Sequence, residues 1–532
     1  MRKTLYILFT LTQFATTFAQ TSFEISLDPI NISNLGGIQS FAFGQHDGKW
    51  LIIGGRLDGL HRRQPFASFD VAGNNNKLIV IDPVAQKSWS APLTSLSVAL
   101  QEQLSSTNME FHQEGTTLYI IGGYGYNNAS ASRKTFNNLT AVDVPMVIDA
   151  IINNKTFTSY FRQVSDNMFA ITGGHLKKID STYYLLGGNK FDGNYNPMGN
   201  ATYTQVYTDA IYKFKIIDTD TSLSFSLIET MKDAANLHRR DYNAVSQIMP
   251  NGAEGITMFS GVFQPNVDLP FLNCVNVDNS GYKVNNDFNQ YYNHYHCAVL
   301  PAYSKVNNEM HTIFFGGIAQ YYDSAEVLIK DDDVPFVKTI ARITRDENGT
   351  MTEYKLPIEM PQYLGASAEF IPVQTAPYYS NEVLKLDNIG QDSVLVGYIF
   401  GGISSSDKNI FFINSGTQSQ ANSVIYAVYL TNNDKASIDK PINKNLATLK
   451  MSVNPNPVSD KIEIAFVLHH KSDVNIILFD ANGKMVEQQK LANQLPGSHT
   501  FSYKLSRKIA SGVYFITLES DREKVTQKIV VQ

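Results

Sequence analysis

Six short apolar runs, each closing on glycine, constrain this chain more than any other feature. They read LIIGG ending at Gly55, LYIIGG at Gly123, YYLLGG at Gly188, TIFFGG at Gly317 and GYIFGG at Gly402, with a degenerate copy, TMFSG, ending at Gly261. A constant core at uneven spacing is the pattern of a structural repeat carrying loop insertions of different length. Upstream of each run lies another short apolar segment across a polar turn, as in SFAFGQHDGKWLIIGG and MEFHQEGTTLYIIGG. Downstream comes a polar insertion and then a second pair of β-rich runs, as in KLIVIDPVAQKSWSAPL and IARITRDENGTMTEYKLP. Turn residues between such runs predict antiparallel hairpins. Two hairpins per repeat predict a four-stranded sheet.

Six such sheets around one axis make a β-propeller, so the expected fold class is all-β. A residue without Cβ suits the end of a strand that crowds toward the axis. SFEISLDPI (22–30) precedes the first repeat without a hairpin partner, while SVIYAVYL (423–430) ends the last without a fourth strand. The N-terminal strand is therefore expected to complete the sixth sheet and remove a free edge; seven sheets are the alternative. On the apolar runs with their glycine doublets, residues 22–430 resemble the kelch repeat family. The Tyr and Trp of a standard kelch unit survive mainly at Trp89, and the units are longer than usual.

At 532 residues the chain exceeds a single core, and 43% hydrophobic with 17% charged residues is a globular balance. A net charge of −6 offers no electrostatic attraction to nucleic acid or an anionic membrane. Arg2 and Lys3 followed by LYILFTLTQFATTFA read as a signal peptide over 1–19, with cleavage before Gln20. No later segment has the apolar length of a membrane span. The propeller is assigned to 20–430 and a polar, Lys-rich linker to 431–450. Residues 451–532 alternate as short strands, with Asn482-Gly483 as a tight turn, which predicts a small immunoglobulin-like β-sandwich. VNPNPVSDKIEIAF, FDANGKMV and SGVYFITL in that segment resemble the type A sorting domain of type IX secretion, a system of the Bacteroidetes. The resemblance implies export through the periplasm, contact with the secretion machinery through 451–532, and a secreted or surface-attached product. Whether the domain is cleaved is open.

The connections after the glycine doublets are long and the turns before them short, so elaborated loops are expected at one mouth of the channel, where binding usually resides. LHRRDYNAV brings His238, Arg239, Arg240 and Asp241 toward that mouth; QYYNHYHCAV brings Tyr291, Tyr292, His294 and His296. His294 and His296, two apart on an expected strand, would share a face and hold a metal or an anion beside the arginines, or simply line the channel. Cys274 and Cys297 are the only cysteines and are read equally as a disulfide, contributing roughly 3 kcal/mol, or as two buried thiols. Asp331, Asp332 and Asp333 are acidic enough for calcium but lack the spacing of a loop site. Tyr124, Tyr126, Tyr195, Tyr203, Tyr321 and Tyr322 suit sugar stacking or loop packing. No G-x-S-x-G, P-loop, H-E-x-x-H or CxxC motif is present. The expectation is a non-catalytic propeller that binds glycan or protein, with no cofactor. The alternative is a carbohydrate-active enzyme like the kelch relatives that oxidise sugars or interconvert sialic acids; the oxidase version needs a Tyr–Cys crosslink, for which Cys297 beside Tyr295 and His296 is the candidate.

Overall fold

A computed structural model describes residues 23–432 apart from 65–66, 197, 199–201, 220 and 325–326, together with 441–442 and 449–532 apart from 469–470, 496, 506–508 and 521–522. The expected signal peptide and most of the 431–450 linker lie outside the described residues.

The chain is all-β, and the described residues of 23–432 build six sheets around four antiparallel strands each, the fifth and sixth carrying one short extra strand, together with three two-stranded hairpins in the connections. Sheet 1 comprises Ala42–His46, Lys49–Ile53, Lys77–Asp82 and Lys87–Pro92; sheet 2 comprises Glu110–Glu114, Thr117–Ile121, Asn138–Asp143 and Phe161–Ser165. Sheet 3 comprises His175–Ile179, Thr182–Leu186, Ala210–Asp218 and Leu223–Lys232; sheet 4 comprises Asn243–Ile248, Glu254–Phe259, Cys274–Asp278 and Gly281–Asn285. Sheet 5 comprises Ala298–Ser304, Glu309–Phe315, Thr339–Arg345 and Met351–Glu359. Sheet 6 takes three strands from the end of the series, Tyr363–Pro372, Val394–Ser405 and Ile425–Asn432, and its fourth from the beginning, Phe23–Ile30. That fourth strand pairs antiparallel along its length, from Phe23 opposite Asn432 to Ile30 opposite Ile425.

Each apolar run is the second strand of its sheet, fully buried because apolar side chains on both faces meet neighbouring sheets. Leu51 and Ile53 pack with Leu118 and Ile120 between sheets 1 and 2. Sheets 2 and 3, 3 and 4, 4 and 5, and 5 and 6 share cores of the same kind. A further core joins Ile371, Tyr398 and Phe400 of sheet 6 to Phe41, Trp50 and Ile52 of sheet 1.

Both residues of every doublet take left-handed backbone, for example Gly122 at φ +65° and Gly123 at +92°; in the degenerate copy Ser260 does so at φ 54°. The turn directs the second N–H of five doublets at the next sheet. Gly55 donates to Ser106 O, Gly123 to Ile171 O, Gly188 to Arg239 O, Gly317 to Leu364 O and Gly402 to Ile38 O, at 2.7–3.1 Å. The doublet is thus a latch between sheets as well as a strand end.

Three departures from the sequence expectation stand out. VPMVIDAII (Val144–Ile152) is an α-helix rather than part of a hairpin, capped by the Asp143 side chain on Met146 N and packed under sheets 1 and 2. A second short helix, Val98–Leu104, precedes sheet 2. The connection 373–393 between the first two strands of sheet 6 is long where a short turn was expected. Its Leu384–Lys385 segment pairs in parallel with Ala302 and Tyr303, and it places Leu384, Leu386 and Ile389 in the core of sheets 5 and 6.

Residues 449–532 form a three-stranded sheet, with Lys461–Leu468 between Lys450–Asn454 and Gly497–Lys504, and a four-stranded one ordered Met485–Gln494, Ser472–Asp480, Gly512–Ser520, Lys524–Val531. One core, including Ile462, Ile464, Ile476 and Ile516, lies between them. Gly483 at φ +80° closes the turn at Asn482-Gly483, donating to Asp480 O.

Candidate functional site

The six sheets converge on a ring of backbone hydrogen bonds. Asn108 N donates to Ser40 O, Gly173 N to Asn108 O, Asp241 N to Gly173 O, His296 N to Asp241 O and Ser367 N to His296 O, at 2.6–3.3 Å. Ser40 N donates to Ser367 O at 3.1 Å, so the series returns to its first member. Left-handed φ at Ser40, Asn108, Gly173, Asp241 and Ser367 aims each N–H at its neighbour, a conformation short polar residues and glycine tolerate best.

On the side of the connections that follow the doublets opens a cavity of about 370 Å³, within the ~300–1,000 Å³ range of small-molecule sites. All six sheets contribute to its wall. His61 and Phe69 come from sheet 1, Tyr124 from sheet 2, Phe191 and Tyr195 from sheet 3, Phe263 from sheet 4, Ile318 from sheet 5, and Phe411 and Phe412 from sheet 6. The rings support one another edge to face: His61 lies 4.7 Å from Tyr195 and 5.1 Å from Phe411, and Phe69 lies 5.6 Å from Tyr124. Phe411 and Phe412 remain 39% and 59% exposed. Between the rings stand Asn108, Asn189, Gln205, Arg240, Asp241, Tyr295 and His296.

Of the eight residues that LHRRDYNAV and QYYNHYHCAV were expected to bring to the mouth, Arg240, Asp241 and His296 line this cavity, and His238, Arg239, Tyr291, Tyr292 and His294 do not. Arg240 ion-pairs with Asp241, donates to the Tyr207 hydroxyl at 3.0 Å and lies 5.2 Å over the Phe263 ring. His238 stacks on Tyr207 at 3.7 Å and donates to Asp209 at 2.6 Å. Arg239 is fully buried, committed to the carbonyls of Asn236, Ser260 and Asn273. The Glu353 carboxylate accepts from Tyr291 N and Tyr292 N, and the Tyr292 hydroxyl donates to Asp323. His294 and His296 do not share a face, because 291–297 is not a strand and His294 takes φ 47°. His294 stacks on Phe314 and donates to Gly316 O at 2.6 Å; burial lowers its pKa to about 4.

His296 faces the ring's other side as well. It also lines a second cavity, of about 270 Å³, on the side of the short turns, together with Glu110, His175, Lys177, Asn243 and Glu369. His296 Nε2 donates to Glu369 at 2.9 Å. Burial opposes a charge on His296, but Glu369 outweighs it and the pKa is raised. His175, 5.4 Å away, donates to Tyr242 O at 2.7 Å and is held well below its ordinary pKa by burial, reinforced by His296. Glu110 accepts from Gly174 N at 2.9 Å through one oxygen, while the other is buried without a partner. Burial pushes the Glu110 carboxyl up to about 8.

Glu110, His175 and Glu369 each stand two residues beyond a member of the ring, Asn108, Gly173 and Ser367. Superposing the six first strands exposes that signal. His61, Phe69, Phe411 and Phe412 come from loops of unrelated sequence, which carry none. Tyr124 and Tyr195 reach the mouth, whereas Tyr203 stacks on Phe191, Tyr321 meets Tyr291 edge to face, and Tyr322 lies under Lys408. Asp331 accepts from Asp333 N and Asn409, and Asp332 from Gln320. Cys274 and Cys297 are both buried free thiols between sheets 4 and 5, pushed up to about 12 by burial. Among the described residues, no three His, Cys, Asp or Glu side chains are grouped to hold a metal.

Residues 452–532 match the family described as the secretion system C-terminal sorting domain. This chain is exported through type IX secretion to the cell surface or the extracellular space, and no helix among its described residues is long and apolar enough to cross a membrane. No curated protein matches it. Among solved structures, YjhT is similar at 12% identity and TM-score 0.41, over 76% of this chain and 99% of that one. A glycoside hydrolase family 43 arabinoxylan arabinofuranohydrolase from Bacillus subtilis is similar at 10% identity and TM-score 0.27, over 93% and 95% of the two chains.

Proposed function

We propose that residues 20–430 are a six-bladed propeller of kelch type, closed by the N-terminal strand, which binds a glycan at the wide mouth without transforming it. A signal peptide over 1–19 begins its export, and the 431–450 linker joins it to the sorting domain at 451–532. The ring of six backbone hydrogen bonds and the core shared by sheets 6 and 1 support the closed form. The observation that carries the binding reading is the mouth itself, where aromatic faces and amide or hydroxyl groups from six separate connections surround one cavity. A sugar ring has apolar C–H faces and a hydroxyl rim, which suits such a wall. The test is a glycan array probed with the purified full-length protein, followed by Phe411→Ala and Phe412→Ala. Binding that falls in both variants is expected; no binding across a broad array overturns the reading.

One observation favours a second reading, acid–base chemistry on a sugar. Glu110 is a buried acid raised toward neutrality and stands in the same cavity as the His296–Glu369 pair, a combination suited to proton transfer. Proton NMR of candidate sugars incubated with the protein decides it: isomer exchange that vanishes in Glu110→Gln supports chemistry, and unchanged spectra reject it.

A further inference from the structure

The charges at the mouth restrict what it accepts. Two side chains lining the cavity carry or gain positive charge, and both already have carboxylate partners: Arg240 has Asp241, and His296 has Glu369. Asp268 and Asp333 add further negative charge to the wall, where Asp332 is ion-paired with Lys330 at 3.0 Å. A carboxylate, phosphate or sulfate entering here would have to displace Asp241 from Arg240 and face the remaining aspartates, at the cost of desolvating like charges.

The groups without partners are of a different kind. His61 Nδ1 and the Tyr295 hydroxyl belong to cavity-lining residues, and both atoms are buried with no hydrogen-bond partner. Buried polar atoms are almost always satisfied, so an orphan in a cavity wall is a place where a water or a ligand group completes the bonding. Burial lowers the His61 pKa to about 4 and raises that of Tyr295, so near pH 7 both are neutral. The positive groups are already paired, and the waiting groups are uncharged.

We propose that the mouth selects a neutral sugar unit, whose hydroxyls complete His61 Nδ1 and the Tyr295 hydroxyl while its C–H faces lie against the aromatic wall. This selectivity rests on the mouth being the binding site. The test presents the full-length protein with neutral gluco-, galacto-, manno- and xylo-oligosaccharides beside sialylated, uronic and sulfated glycans. Binding confined to the neutral set is expected, weakened roughly two- to tenfold by Tyr295→Phe. The melting temperature of Tyr295→Phe should equal that of the parent, because the hydroxyl has no protein partner to lose. Preference for acidic glycans that is lost in Phe411→Ala overturns the selectivity and keeps the site. Unchanged affinity in Tyr295→Phe, or a lowered melting temperature, overturns the role given to that hydroxyl. Binding to neither set, or binding indifferent to Phe411→Ala, overturns the site itself.

Discussion

Glu110 is a buried acid whose chemistry departs far from its free form, since burial pushes its carboxyl up. Its folded pKa of about 8 lies above the ordinary value of 4.5, so the native state holds a proton that the unfolded chain releases between those pH values. Stability attributable to this group is therefore complete below pH 4.5 and declines as pH rises toward 8, by at most about 1.4 kcal/mol per pH unit. Glu110→Gln mimics the protonated carboxyl and retains an acceptor for Gly174 N. Denaturant melts at pH 5 and pH 8 should show the variant gaining on the parent as pH rises; an equal difference at both pH values counts against a protonated Glu110. His296 acts in the same direction, since its raised pKa makes its pairing with Glu369 strongest at low pH and lost as pH climbs through the folded value. Glu369→Gln should lower the His296 pKa, read from the pH dependence of its ring proton shifts.

The doublets show how an element is tied to its neighbour. A Cβ on Gly122 would fall 1.9 Å from Ile171 O, the carbonyl that Gly123 N reaches, whereas a Cβ on Gly115 meets nothing within 4 Å although φ is also positive. Gly115→Ala should cost about 1–2 kcal/mol from backbone conformation alone. Gly122→Ala should cost at least twice as much, because sheet 3 must move; equal costs in chemical denaturation would reject the latch. The doublets were legible because glycine is the residue that permits both the left-handed turn and the close approach, and the strand order of each sheet followed from them. The ring was not legible, since its bonds use backbone atoms and its members, Ser, Asn, Gly, Asp, His and Ser, share no side-chain chemistry. The Val144–Ile152 helix was missed because a nine-residue segment with two Val and three Ile resembles a strand in composition, and burial beneath two sheets decided otherwise. The spacing of His294 and His296 misled for a related reason: alternation holds only on a strand, and the segment bends before the strand begins.

At the scale of the whole molecule, the chain's two ends carry separate tasks. Removing 23–30 would strip sheet 6 of the strand paired with Ile425–Asn432 and bare its edge. Such a deletion should melt lower and form oligomers by sedimentation, and a monomer of unchanged stability would show that the strand is dispensable. Truncation after residue 450 removes the sorting domain, and the product should remain in the periplasm when cells are fractionated. The circuit from Ser40 to Ser367 has a broader consequence. The circuit is made of main-chain atoms, so its hydrogen bonds depend on backbone conformation rather than on which side chains its six members carry. Descendants of this molecule can exchange one axial side chain for another while the same backbone persists.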